Sequence, residues 1–105
     1  MKDTANDTAN GTAAVSKEFK IKNKLGLHAR AAAQFVRLVS KFSSEIKVTK
    51  DGFDVNGKSI LGVLSLAAIH GSTIMIEVKG KDAESALHEI EELVESGFGE
   101  GVIEE

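Results

Sequence analysis

The sequence predicts an α+β domain of two layers: an open-faced β-sandwich in which three helices cover one face of a four-stranded antiparallel sheet, in the order βαββαβα. Three observations carry this expectation. Segments of strict apolar–polar alternation, the mark of half-buried strands, are interspersed with segments whose apolar residues recur every three or four positions. Asp51-Gly52, between two strand-like runs, is a tight hairpin signal and implies an antiparallel pair. Alternating strands leave one sheet face wet, while striped helices need cover for their apolar side, so the two pack as layers.

Each element follows from its own residues. Glu18 to Lys22 alternates with Phe19 and Ile21 on one face, and a loop over residues 23–27 contains Gly26. A helix is expected from about Ala29 to Lys41, with Ala32, Phe35, Val36 and Val39 as its apolar stripe. Glu45 to Thr49 and Phe53 to Val55 flank the hairpin turn, and Asn56-Gly57 ends the second of these strands. A short helix should run from Ile60 to Ile69, striped by Ile60, Val63, Leu64, Ala67 and Ala68, with Ser59 as N-cap and His70-Gly71 at its end. Thr73 to Lys79 places Ile74, Ile76 and Val78 on one face. Asp82 is the expected N-cap of a last helix striped by Ala83, Ala86, Leu87, Ile90, Leu93 and Val94, with Gly97 as its stop.

The remaining segments read as tails. Residues 1–16 are small and polar and repeat Asp-Thr-Ala-Asn, which predicts disorder, because they cannot bury enough apolar surface to offset their ordering entropy. The folded domain is expected over 17–98, followed by a loose acidic tail over 99–105.

Composition narrows the function classes. The chain has 105 residues, which suits one domain, and no cysteine, which removes disulfides and thiolate metal sites. A formal net charge of -3 gives no electrostatic footprint for nucleic acid or an anionic membrane surface. No apolar run approaches the roughly 20 residues that span a bilayer. The N-terminus has no apolar core of a signal peptide, so a cytoplasmic location is expected.

The chain has three histidines, and no pair of them has metal-ligand spacing on one element. His88 reads as a solvated residue of the last helix, and His70 as a helix C-terminal cap. No metal and no cofactor are expected. His28 follows Lys24-Leu25-Gly26-Leu27 and directly precedes a helical pattern. A helix start offers unsatisfied N–H groups and about half a positive charge, so it binds anions. The same positive end disfavours an imidazolium and would keep His28 neutral and nucleophilic at pH 7. Arg30 can hold phosphate oxygens. A nucleophile, a helix dipole and a fixed cation suit a phosphohistidine. On spacing alone, however, a capping histidine beside a solvated arginine is the commoner arrangement.

Two motifs shift that balance. Leu25-Gly26-Leu27-His28-Ala29-Arg30 resembles the active-site motif of the histidine-containing phosphocarrier proteins, HPr, of the phosphoenolpyruvate-dependent phosphotransferase system. Gly57-Lys58-Ser59-Ile60-Leu61-Gly62-Val63-Leu64-Ser65-Leu66 resembles that family's second signature. The resemblance covers residues 17–98 and implies the same βαββαβα fold. It implies that His28 carries phosphate on Nδ1 (a pros-phosphohistidine), that Arg30 assists transfer, and that the amides of Ala29 and Arg30 cradle the phosphoryl group. It implies a carrier rather than an enzyme, a monomer charged by enzyme I and discharged to enzyme IIA domains. Ala33, Gln34, Ile60, Leu61 and Leu64 become docking candidates, although Ile60 and Leu64 also fit core packing. Leu61 lies off the apolar stripe, and an exposed leucine there favours docking.

Ser59 matches the serine that HPr kinase/phosphorylase modifies in some members, and it reads equally as an N-cap. Ala31 departs from the family's usual proline after the arginine; alanine still suits a helix start. That departure leaves a second reading, a regulatory HPr-like module of the nitrogen-related or a non-transporting branch, which docks partners without efficient phosphate transfer.

Overall fold

The computed structural model describes residues 14–103. Its elements are β1 (Ala14–Lys20), α1 (Ala29–Val39), β2 (Glu45–Lys50), β3 (Phe53–Asn56), α2 (Ile60–Ser65), β4 (Thr73–Lys79) and α3 (Ala83–Glu95). The predicted order holds. The sheet runs β1-β4-β2-β3, antiparallel throughout. Phe19 lies opposite Ile74, and Val48 lies between Ile76 on one side and Val55 on the other. These positions share the face that the helices cover. Phe19, Ile46, Val48, Ile74, Ile76 and Val78 meet Phe35 and Val39 of α1, Val63 of α2, and Ala86, Ile90 and Val94 of α3, all buried. The opposite face is wet, and there Lys47 pairs with Glu77 at 3.1 Å.

Four features differ from the sequence expectation, each for a local reason. β1 begins at Ala14 because Ala14, Val15 and Ser16 find ladder partners in Lys79, Val78 and Glu77. Part of the expected tail is thus a strand, and residues 1–13 lie outside the described residues. α2 stops at Ser65, not Ile69: Ala67 takes a positive φ of 50°, and Leu66 rather than Ala67 turns inward. His70 is therefore not the cap of α2; Leu66 is. Asp82 does occupy the N-cap position of α3, but its carboxylate does not cap the helix. It accepts instead from the Ser43 and Ser44 amides at 2.9 and 3.0 Å, and from the Ser44 hydroxyl. The Ser44 hydroxyl bond, the amide of Ser43 and that of Ser44 together outweigh burial and hold the Asp82 carboxyl below the usual carboxylate range.

The fourth difference bears on function. α3 ends where Gly97 predicts, with Gly97 N–H donating to Val94 O and Phe98 N–H to Leu93 O, a Schellman pair. The chain beyond is not loose as far as it is described. Phe98 is buried, Gly101 N–H donates to Ser96 O, and Ile103 N–H donates to Lys22 O at 2.9 Å. This strap lays Glu100 across the N-terminus of α1. Residues 104–105 lie outside the described residues.

Candidate functional site

The loop before α1 is held by the segment after α2. Leu27 N–H donates to Ala68 O at 2.9 Å, and the Leu27 side chain is buried. Gly26, with φ of 69°, makes this approach possible: a Cβ there would lie 2.5 Å from Ala68 O. The early end of α2 and the conformation of the loop are thus one feature. His28 N–H then donates to Gly26 O, and His28 becomes the N-cap of α1 in extended geometry. The helix itself starts readily from the alanine-rich run Ala29 to Ala33.

The imidazole has a partner at each nitrogen. Nδ1 accepts from the Arg30 amide at 3.4 Å, a long contact at the helix start. Nε2 lies 2.5 Å from Glu100 Oε2. An ionised carboxylate only accepts, so Nε2 carries the hydrogen. Both contacts therefore agree on one neutral tautomer, with the lone pair on Nδ1. Burial works to raise the Glu100 carboxyl, but hydrogen bonds from Asn23 and His28 and the charge of Arg30 outweigh it, holding the group below its ordinary value. The Arg30 guanidinium lies 3.9 Å from the same oxygen and is mostly exposed. The His28 side chain is 27% exposed, so the ring is neither buried in the core nor remote from a helix start.

The other sequence candidates fall into two groups. The amides of Ala29 and Arg30 stand in the first turn of α1, beside Nδ1. Leu61 is 79% exposed and Ile60 42%, while Leu64, Ala33 and Gln34 are half-buried. The expectation that Ile60 lies on a buried stripe is thus not met. Leu25 and Ile69, on either side of the Gly26 contact, are also exposed and were not anticipated. Ser59 caps α2, its hydroxyl accepting from the Gly62 amide at 3.0 Å. Ala31 is fully buried. His88 is solvated and lies 3.4 Å from Glu92. His70 lines a separate recess with Lys20, Lys22 and Ile103. Among the described residues no cluster of histidine and carboxylate side chains could hold a metal ion.

Glu100 and Asn23 were missed by sequence reasoning, which left the first in a loose acidic tail and the second in a loop. Glu100 is 72 residues from His28, and only closure of the chain joins them.

The surroundings are open. A hollow of about 570 Å³ beside the site is lined by Lys24, Leu25, Arg30 and Glu100. A larger recess of about 740 Å³ lies on the wet sheet face among Lys47, Asp54, Glu77 and Lys79, and shares no residue with the site. Its Lys47 is paired with Glu77 and Asp54, and it holds no histidine. A half-buried histidine without an enclosing pocket suits exchange with a protein surface better than capture of a small molecule.

Residues 15–96 match the family model described as the PTS HPr component phosphorylation site. The chain belongs to the HPr family. The phosphocarrier protein HPr of Neisseria meningitidis is 45% identical over 87 residues, spanning 83% of this chain and 98% of its own. HPr of Thermoanaerobacter tengcongensis superposes with a TM-score of 0.81 at 46% identity, over 84% of this chain and 99% of that one. A second structure from that organism, described as an HPr dimer, gives 0.67 at 50% identity over 78% and 94%. As a member of the HPr family the chain is a phosphocarrier rather than an enzyme, and it works with proteins of the phosphotransferase system. Among the described residues no helix is long and apolar enough to cross a membrane.

Proposed function

We propose that this HPr accepts a phosphoryl group from enzyme I on His28 Nδ1 and passes it to enzyme IIA domains, acting as a cytoplasmic monomer. The observation that carries this reading is the imidazole at the start of α1, its Nε2–H held by Glu100 and its Nδ1 lone pair left at the helix amides. In the transfer the Nδ1 lone pair forms the P–N bond as the bond from phosphorus to the donor breaks. Nε2 keeps its hydrogen, so the ring gains positive charge, which the Glu100 carboxylate stabilises. The Ala29 and Arg30 amides and the Arg30 guanidinium receive the phosphoryl oxygens. Discharge to enzyme IIA is the reverse displacement, with another nucleophile taking the phosphorus.

Ile60, Leu61, Leu64, Ala33 and Gln34 form the docking surface in this proposal, with Leu61 as its most exposed apolar residue. Ser59 is the regulatory position. A phosphate there is tolerated at a helix N-terminus, but puts about two negative charges beside the docking surface. The reading as a docking module without transfer has no observation in its favour, since nucleophile, cation and carboxylate all lie at one place.

The test is intact mass after incubation with enzyme I and phosphoenolpyruvate. The proposal expects one acid-labile phosphate that is absent in His28→Ala. An adduct that persists in His28→Ala would refute the assignment.

A further inference from the structure

Asn23 is fully buried although polar. Its side-chain amide joins two segments distant in sequence: Nδ2 donates to Gly26 O at 2.8 Å and to Glu100 Oε1 at 2.9 Å. The other carboxylate oxygen, Oε2, receives Nε2–H of His28 at 2.5 Å. Asn23, Glu100 and His28 thus form one hydrogen-bonded chain that ends at the imidazole. Packing alone does not account for an asparagine here, because its Oδ1 is buried with no protein partner among the described residues, and an apolar side chain would avoid that cost. The amide donors are what the fold uses. Stapling the loop needs only the bond to Gly26, which leaves the bond to Glu100 to be explained.

Glu100 stands on the strap after α3, where its backbone is fixed: Glu100 N–H donates to Gly97 O. Its side-chain torsions remain free unless something holds the carboxylate. The Arg30 guanidinium, 3.9 Å away, competes for the same oxygen. We propose that Asn23 is a positioning residue for phosphoryl transfer: by clamping Glu100 Oε1 it keeps Oε2 on His28 Nε2, which holds Nδ1 as the unprotonated nitrogen and frees Arg30 for the phosphoryl oxygens. This rests on the reading of His28 as the phosphate acceptor. Partners that orient a functional imidazole govern its tautomer and ring direction, and their loss is felt at the ring without any contact to the reacting group.

The experiment is a double-mutant cycle in the full chain, with Asn23→Ser and Glu100→Gln made singly and together. Two quantities are read: the initial rate of phosphate uptake from enzyme I with phosphoenolpyruvate, and the ¹⁵N shifts of the imidazole nitrogens. Each single variant should slow uptake by about tenfold, the lower end of what such outer partners are worth. The double variant should be no slower than Glu100→Gln alone. In Asn23→Ser, as in Glu100→Gln, Nδ1 should gain protonated character. Additive rate losses, or imidazole shifts unchanged in Asn23→Ser, would overturn the proposal. If Asn23→Ser does not fold, Asn23→Ala, which removes the donors without adding a charge, replaces it, and failure of both to fold would make Asn23 a folding residue and overturn the proposal. No phosphate on His28 of the wild type, with nitrogen shifts still following Asn23, would remove the acceptor reading and with it the transfer role of Asn23.

Discussion

Replacing Gly26 by alanine should damage this fold far more than replacing Gly52. Both glycines have positive φ, 69° and 81°. A left-handed residue with a Cβ costs roughly 1–2 kcal/mol, and alanine recovers about 0.4–1 kcal/mol by restricting the unfolded chain. About 1 kcal/mol therefore remains, and at Gly52, where a Cβ meets nothing within 4 Å, that is the whole effect. At Gly26 a Cβ meets Ala68 O at 2.5 Å and the Ile69 Cα at 2.9 Å, both backbone. Residues 67–69 must move, at about 1–3 kcal/mol for overpacking and about 1 kcal/mol for the Leu27–Ala68 hydrogen bond. Gly26→Ala should therefore lose about 3–5 kcal/mol. With a slope of about 1–2 kcal/mol per M, its urea midpoint should fall at least about 1 M below that of Gly52→Ala. Equal midpoints for the two variants would refute the claim that the segment after α2 holds the loop before α1.

Three further predictions concern the site and its surface. The Glu100 carboxyl is held below its ordinary 4.5, so its ion contributes stability that is fully present above that value and is lost as pH falls through the lower folded one. The stability difference between wild type and Glu100→Gln, from urea midpoints at each pH, should shrink as pH falls below 4.5; a difference that grows over that acidic range contradicts the native contact. Ser59→Ala should lose about 1 kcal/mol in thermal or urea unfolding, while Ser59→Asp, which retains a capping oxygen, should lose much less; equal losses would show that the Gly62 bond is not the source. Leu61→Glu should leave stability within about 0.5 kcal/mol of wild type, yet weaken calorimetric binding to enzyme I by about fivefold or more. Unchanged binding would exclude Leu61 from the docking surface.

The architecture was largely legible because its signals are local. Phe19, Val48 and Ile76 lie on alternating runs, Phe35 and Val39 on a helical stripe, and all five proved buried. The Asp51-Gly52 turn appears as two consecutive positive φ values, 53° and 81°. The errors share a cause, which is tertiary contact overriding local pattern. The apolar run from Ile60 to Ile69 has enough helical periodicity for a longer helix, but Ala68 O is needed by Leu27, and the helix yields. Asp82 has the residue type of a cap, yet the Ser43–Ser44 turn claims its carboxylate. The site was half legible. His28 and Arg30 are close in sequence and follow a recognisable motif. Glu100 and Asn23 join them only after β1, α3 and the strap are in place, and an acidic tail carries no periodic signal. The one cue was Phe98 between Gly97 and Gly99: an aromatic residue just past a helix end needs burial, and burying it brings Glu100 back to α1.

The most direct test is to locate the phosphorus on the ring. Nuclear magnetic resonance of the ¹⁵N-labelled protein, charged by enzyme I and phosphoenolpyruvate, reads ³¹P–¹⁵N coupling at each imidazole nitrogen. Coupling to Nδ1 of His28, with Nε2 still bearing its hydrogen, is the predicted result. Coupling to Nε2, the nitrogen that faces Glu100, would contradict the mechanism.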